Sequence, residues 1–156
     1  MKHLKSYDST PETRKRMGKV KLKGGKAESM LAKALWHRGY RYRRNDKRLP
    51  GSPDIAILKY RIAVFVDGEF WHGKDWETRK GRLKRNREYW IQKIEENIAR
   101  EQRDDARLRQ VGWLPIHFWE KEVLKSVSDC VAEIEECVVR LLVERADDAG
   151  PQESEE

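Results

Sequence analysis

A short apolar run, Ile62 to Val66, breaks off directly into Asp67-Gly68-Glu69-Phe70-Trp71-His72. An uninterrupted apolar run of this length, rich in β-branched residues, predicts a strand covered on both faces, so helices must flank the sheet that holds it. The end of that strand carries two carboxylates, two large aromatics and an imidazole, and segments displayed by a rigid scaffold are where reactive groups collect. Upstream stands Asp54, after Pro53 and at the mouth of a second apolar run, Ile55-Ala56-Ile57-Leu58. Lys59-Tyr60-Arg61 is short enough to join the two runs as a hairpin, which would bring Asp54 and Asp67 together around a divalent metal.

The rest of the chain supplies the flanking layers. Ala27, Met30, Leu31, Ala34 and Leu35 form an apolar stripe on a helix from about Lys26 to Arg38, with Gly39 placed to stop it. A strand is predicted at Tyr40 to Arg44, and a loop, Asn45 to Ser52, leads from it towards Pro53-Asp54. Beyond a charged connection, Gly73 to Arg85, the residues Trp90, Ile94 and Ile98 recur at helical spacing on a long helix that begins near Asn86 and ends before Gly112. Trp113 to Trp119 reads as a strand, and Pro115 within it, lacking an amide hydrogen, predicts an edge or irregular strand. Val127, Val131, Ile134, Val138, Leu141 and Leu142 mark a last amphipathic helix with Ser126 or Ser128 as N-cap. The order α-β-β-β-α-β-α predicts an α/β fold, a central mixed β-sheet flanked by helices.

At 156 residues the chain is one domain in size, and its net charge of +7 favours a polyanionic partner. Residues 1–26 hold nine Lys or Arg against Asp8 and Glu12, whereas residues 145–156 hold Arg145 against five acids. Three segments are therefore expected: a basic arm at 1–25 that lies along a duplex or merely solubilises, a folded domain at 26–144, and an acidic disordered tail at 145–156. Cys130 and Cys137, seven apart on one helix, are too far along its axis for an internal disulfide and read as core thiols. With no apolar run of about 18 residues and no apolar segment after the basic N-terminus, a cytoplasmic protein without a membrane partner is expected.

Carboxylates, a histidine and a basic chain point to phosphodiester cleavage. That reaction needs charge stabilisation at phosphorus, an activated water and help for the leaving oxygen, and hard oxygen ligands suit Mg2+. Asp54 leads as ligand because Asp is unfavourable in a strand and here it opens an apolar one, although after Pro53 it also suits a plain loop end. Asp67 and Glu69 share a face of an extended chain unless Gly68 bends it. His72 ionises near neutrality and is the natural proton carrier, set against the plainer role of a structural histidine beside Trp71. Phe70 and Trp71, in a glycine-flanked loop, suit a wedge between bases, while Trp90 on a periodic helix face fits the core equally well. Arg79, Lys80, Arg82, Lys84, Arg85 and Arg87 offer phosphate-binding charge or simply a solvated helix start.

From about Thr13 to Glu120 these residues resemble the very-short-patch repair (Vsr) DNA endonucleases, relatives of the restriction-endonuclease-like PD-(D/E)xK nucleases. In chain order the likeness is carried by Thr13-Arg14 with Met17, by Glu28, by Leu49-Pro50-Gly51-Ser52-Pro53-Asp54, and by Val64 to Trp71 with His72-Gly73. It continues through Tyr89-Trp90-Ile91, Lys93-Ile94, Asn97, Arg100, Arg103-Asp104, Leu108, Gly112-Trp113 and Trp119-Glu120. The resemblance implies a restriction-endonuclease-like fold and a metal-dependent enzyme that nicks one strand of double-stranded DNA beside a T:G mismatch, the product of 5-methylcytosine deamination. It implies Asp54 as the metal-binding aspartate, the Val66 carbonyl as a second ligand with Asp67 beside them, His72 as the catalytic histidine, and Glu28 as a helix glutamate supporting the site. Phe70, Trp71 and Trp90 match aromatics that intercalate next to the mismatch, and the arm carrying Arg14, Met17 and Lys19 matches a segment that clamps the duplex.

The departures from the family pattern carry expectations of their own. Better-known members hold a structural zinc with Cys and His where this chain has Glu69, Lys74, Trp76 and Lys121, so Mg2+ and no structural zinc is expected, with the 73–85 loop ordered by packing of Trp76. Asp67 stands where some members have a second histidine and Val66 where they have threonine. Glu69 replaces the usual nuclease lysine, leaving His72 as the acid or base. A monomer fits single-strand nicking, with other DNA-repair proteins as expected company. Two rival readings stay open: a nuclease of the same fold that cuts paired DNA in restriction or phage defence, and a catalytically silent DNA-binding module whose acids only cap strands.

Overall fold

The structure is a computed structural model and describes residues 25–69 and 72–150. The expected arm with Arg14, Met17 and Lys19, the pair Phe70-Trp71 and residues 151–156 lie outside the described residues. The chain runs through α1 (Lys26–His37), β1 (Arg43–Arg44), β2 (Ile55–Ile57), β3 (Ile62–Asp67), α2 (Trp76–Lys80), α3 (Arg87–Gln110), β4 (Leu114–Trp119), α4 (Glu120–Lys125) and α5 (Val127–Ala149). The strands make one sheet in the order β1-β2-β3-β4, antiparallel from β1 to β3 and parallel between β3 and β4. The connections explain the mixture. A tight turn over Leu58 to Arg61 returns the chain antiparallel, whereas the long crossover containing α3 returns it parallel. This is the mixed sheet with flanking helices expected of the α/β class.

Alternation along the strands divides the molecule into two layers. Ile55, Ile57, Ile62, Val64 and Phe118 face one way and bury against Leu31 and Leu35 of α1, Val123 of α4, and Val131, Ile134 and Val138 of α5. Each fully buried aliphatic side chain here contributes on the order of 1.5–3 kcal/mol relative to exposure. Ala63 and Phe65 face the other way and pack with Leu108 of α3, Leu49 and Trp113. The second layer is thinner in apolar residues, and the same face carries Asp67 and His117 further along the strands.

Glycines end two of the helices where the pattern predicts. Gly39 has φ +92°, and Tyr40 N–H reaches back to the Leu35 carbonyl; Gly112 has φ +82°, and Trp113 N–H reaches back to Leu108. Both returns satisfy carbonyls left over at a helix C-terminus. The second also aims β4 alongside β3, where Pro115 lies on an edge strand as expected.

Some boundaries differ from expectation. The predicted strand Tyr40 to Arg44 shortens to Arg43–Arg44, because Tyr40 and Tyr42 turn into the core and the Tyr42 hydroxyl donates to the Ala32 carbonyl at 2.6 Å. Two short helices, α2 and α4, interrupt segments read as connections. The last helix runs past 144 to Ala149, into the segment expected to be disordered, and Arg145 donates to the Tyr60 carbonyl at 3.2 Å. Ser126 occupies its N-cap position without a side-chain capping hydrogen bond. Cys130 is buried and Cys137 half-buried in the first core layer, both as free thiols.

Candidate active site

The C-terminal ends of β3 and β4, with α3 lying across them, assemble the polar centre of the molecule. Parallel register sets Phe65 beside His117 and Asp67 beside Trp119. From above, α3 presents Asn97, Glu101 and Asp105, spaced four apart and so on one helix face, continuing the stripe of Trp90 and Ile94. A cleft of about 90 Å3 opens here, lined by Gly51, Phe65, Asp67, His72, Asn97, Arg100, Glu101, Asp104 and Asp105.

At the floor and rim of this cleft, His72 and His117 contact Asp67, Glu101 and Asp105. His72 Nδ1 lies 2.9 Å from Glu101 Oε2 and 3.7 Å from Asp67 Oδ1. His117 Nδ1 lies 2.7 Å from Asp67 Oδ2 and 2.9 Å from Glu101 Oε1, while its Nε2 is 2.8 Å from Asp105. Phe65 stacks on the His117 ring with centroids 4.7 Å apart. Burial alone would depress the His117 imidazole, but its contacts with Asp67, Glu101 and Asp105 outweigh that and push it up to about 11. His72 is also raised, burial working downward while Glu101 and Asp67 overcome it. Burial works upward on Glu101, yet its contacts with His117 and His72 hold it well below the usual carboxylate range. Asp67 is raised, because burial outweighs the two imidazoles beside it.

Asp54 sits one strand away. Its Oδ2 accepts a 2.7 Å hydrogen bond from the Val66 amide. Continuing the β2–β3 register, in which Ile55 meets Val64, sets Asp54 opposite Phe65 and therefore on the face that carries Asp67. In a strand the amide and carbonyl of one residue leave by the same edge, so the Val66 carbonyl faces the Asp54 side. Asn45, whose N–H donates to the Asp54 carbonyl at 3.1 Å, has a buried Oδ1 with no hydrogen-bond partner among the described residues. Asp54 and the Val66 carbonyl are hard oxygen donors on neighbouring strands, which fits Mg2+, and the orphan oxygen belongs to the residue whose amide bonds to Asp54. Asp67, His72 and Glu101 also offer ligand atoms within 4.8 Å of one another.

Of the residues singled out in the sequence, Asp67 and His72 are brought together, and Asp54 accepts from the amide of Val66, the residue before Asp67. Glu28 is buried on α1, with Arg44 Nη2 3.0 Å from its Oε1. Trp90 is buried, its ring edge-on to Tyr89. Asp67 and Glu69 part at Gly68: Asp67 enters the cleft, whereas Glu69 Oε1 accepts the Lys121 amide at 2.9 Å. Glu101, Asp105 and His117 were not picked out in the sequence. The four-residue repeat Asn97, Glu101, Asp105 is a signal for the first two, but a single histidine in an apolar strand gives none for the third.

The loop that carries His72 is tied by direct contacts. Arg79 Nη1 donates to the carbonyls of Glu69 at 2.7 Å and Lys74 at 3.2 Å. Trp76 is buried and its indole donates to Glu95 Oε1 at 3.3 Å, which Lys80 also meets at 2.8 Å. A carboxylate, two ammonium groups and an indole at Glu69, Lys74, Lys121 and Trp76 are a donor set that does not fit zinc. Gly73, next to His72, has φ +69°, and a Cβ there would lie 2.5 Å from Ile98 Cδ1. It would also lie 3.1 Å from Ile98 Cγ1 and 3.2 Å from Cγ2 of the buried Ile94, so Gly73→Ala is expected to cost more than the roughly 1–2 kcal/mol of the left-handed backbone alone. Its nicking rate should fall further than that loss of stability explains, because the strain acts on the His72 loop; thermal melting and nicking rates compared at one temperature check this.

A family model described as DNA mismatch endonuclease Vsr matches residues 6–78. The type II nicking enzyme V.NmeDIP of Neisseria meningitidis serogroup C is 50% identical over 130 residues, covering 83% of this chain and 88% of that protein. V.HpaIIP of Haemophilus parainfluenzae, also named a type II nicking enzyme, is 47% identical over 131 residues, 83% of this chain and 93% of its own length. The DNA mismatch endonuclease Vsr of Escherichia coli (strain K12) is 38% identical over 93 residues, 60% of this chain and 59% of that protein.

Proposed function

Because the chain belongs to the Vsr family of DNA mismatch endonucleases, we propose that it nicks one strand of double-stranded DNA beside a T:G mismatch, as a Mg2+-dependent monomer, and so begins very-short-patch repair. The observation that carries this reading is the meeting of Asp67, His72 and Glu101 at the end of the strand whose Val66 amide holds Asp54. Relatives named nicking enzymes support cutting one strand rather than two.

Asp54 and the Val66 carbonyl would hold Mg2+, with Asp67 at the adjoining strand end. The ion supplies charge stabilisation on the phosphate and a more acidic water. Every other part of the step falls to this chain's own side chains. Glu101 and Asp67 engage Nδ1 of His72, which leaves Nε2 as the nitrogen that exchanges a proton with the substrate. Since those carboxylates favour the protonated ring, His72 suits the acid that protonates the leaving oxygen. Glu28, paired with Arg44, steadies the site from α1.

Phe70 and Trp71, adjoining His72 in sequence, supply the wedge that enters the base stack, which opens most cheaply where pairing is already faulty. Trp90 backs them. The basic segment 1–25, with Arg14, Met17 and Lys19, clamps the duplex by phosphate contacts, residues 26–144 form the nuclease unit, and the acidic end 145–156 stays clear of DNA. A strand-resolved assay on T:G and T:A duplexes tests the proposal: one strand of the T:G duplex should be nicked in Mg2+, at least about a hundredfold faster than T:A and not at all in EDTA. Equal cutting of both duplexes would favour a restriction or defence nuclease, and intact duplexes throughout would leave a binding module.

A further inference from the structure

His117 is surrounded by acids on both of its nitrogens. Nδ1 lies 2.7 Å from Asp67 Oδ2 and 2.9 Å from Glu101 Oε1, and Nε2 lies 2.8 Å from both oxygens of Asp105. With two acids at Nδ1 and a third at Nε2, the setting favours N–H groups on both nitrogens and a positive ring. The face of the ring is pinned by Phe65, stacked 10° from parallel.

The acids then divide their oxygens between two imidazoles. Asp67 gives Oδ2 to His117 and turns Oδ1 towards His72; Glu101 gives Oε1 to His117 and Oε2 to His72. The trio Asp67, His72 and Glu101 has the spacing of a divalent-ion site, but a positive ring already binds one oxygen of each acid. Two like charges at such separations repel strongly where water is scarce.

We propose that His117 is a positioning residue: it acts as the built-in counter-cation of the acid cluster, keeps a second divalent ion out of it, and fixes Asp67 and Glu101 so that their remaining oxygens orient His72. Asp54 is then the carboxylate left to hold a divalent ion. The inference rests on the proposed Asp54 site only for the number of ions bound by the unaltered chain; the part played by His117 is read from a difference between variants.

The test counts bound Mn2+ by electron paramagnetic resonance on the full chain, and measures kcat and KM for nicking of the T:G duplex. Relative to the unaltered chain, His117→Gln, which is neutral, should bind about one more Mn2+ and lose about tenfold or more in kcat, with KM within about twofold. His117→Arg, which restores a cation, should keep the original ion count and recover part of kcat. No extra ion in His117→Gln, or the same gain in both variants, would overturn the proposal, since the ring would then act by bulk or not at all. Asp54→Asn, with His117 intact, should bind no Mn2+. An ion retained there would sit in the acid cluster and overturn the proposal even if the His117 variants fail to fold. If the unaltered chain binds no Mn2+, the metal reading of Asp54 falls, while the gain expected for His117→Gln still decides the role of His117.

Discussion

Asp54→Asn is expected to fold, to bind duplex DNA and to have lost nicking by about a thousandfold or more. A metal-held charge at the phosphate is worth several kcal/mol, and each 1.36 kcal/mol of lost transition-state stabilisation is about tenfold in rate. The loss should appear in kcat, because affinity for the duplex comes mainly from many Lys and Arg contacts with phosphates. The choice of side chain matters. Asp54 Oδ2 accepts from the half-buried Val66 amide at 2.7 Å, and Asn can keep that bond through its own oxygen. Asp54→Ala cannot, and takes that partner from a half-buried N–H at a cost of about 1 kcal/mol. The two variants should therefore be about equally inactive yet differ in melting temperature. Nicking by Asp54→Asn at more than a tenth of the original rate would remove Asp54 from the reaction.

His72→Ala should lower kcat by about 10²–10⁴-fold, the usual contribution of one positioned proton-transfer group. A second signature separates this from misfolding. Glu101 and Asp67 raise the His72 ionisation above its ordinary value of 6.5 despite burial. An acid must be protonated to act, so the original rate should hold through neutral pH and fall as pH rises through that elevated ionisation. Below it the ring is charged and the step is supplied. In His72→Ala this alkaline fall should vanish, leaving a low rate without that inflection. A rate that instead climbs through the same region in the unaltered chain, and loses the climb in the variant, would make His72 a base.

Periodicity explains which elements were legible in the sequence. β3 and α5 are long patterns with a buried face, and their burial is what the pattern records. α2 gave no such record: it has five residues, and it starts after Asp75 in a left-handed conformation inside a charged run. α4 is also short, but a cue was present, since the Glu122 carboxylate caps the Trp119 amide at 3.2 Å. At the site, Asp67 and His72 stand out because a strand end displays them. His117 does not, because its meaning depends on two facts of tertiary structure: the parallel register that sets it beside Phe65, and the face of α3 that lowers Glu101 and Asp105 onto it. Glu69 shows the reverse. Spacing alone gives it the same face as Asp67, but β3 ends at Asp67 and Glu69 meets the Lys121 amide instead.

Anomalous scattering from Mn2+ in crystals grown with an uncut T:G duplex locates the ion and the scissile phosphate together. The expected map has a peak beside the Asp54 carboxylate and the Val66 carbonyl, with that phosphate close by and His72 Nε2 facing the leaving oxygen. A peak remote from Asp54, or a phosphate bound with His72 turned away from it, would contradict the assignment of these residues to the cleavage step.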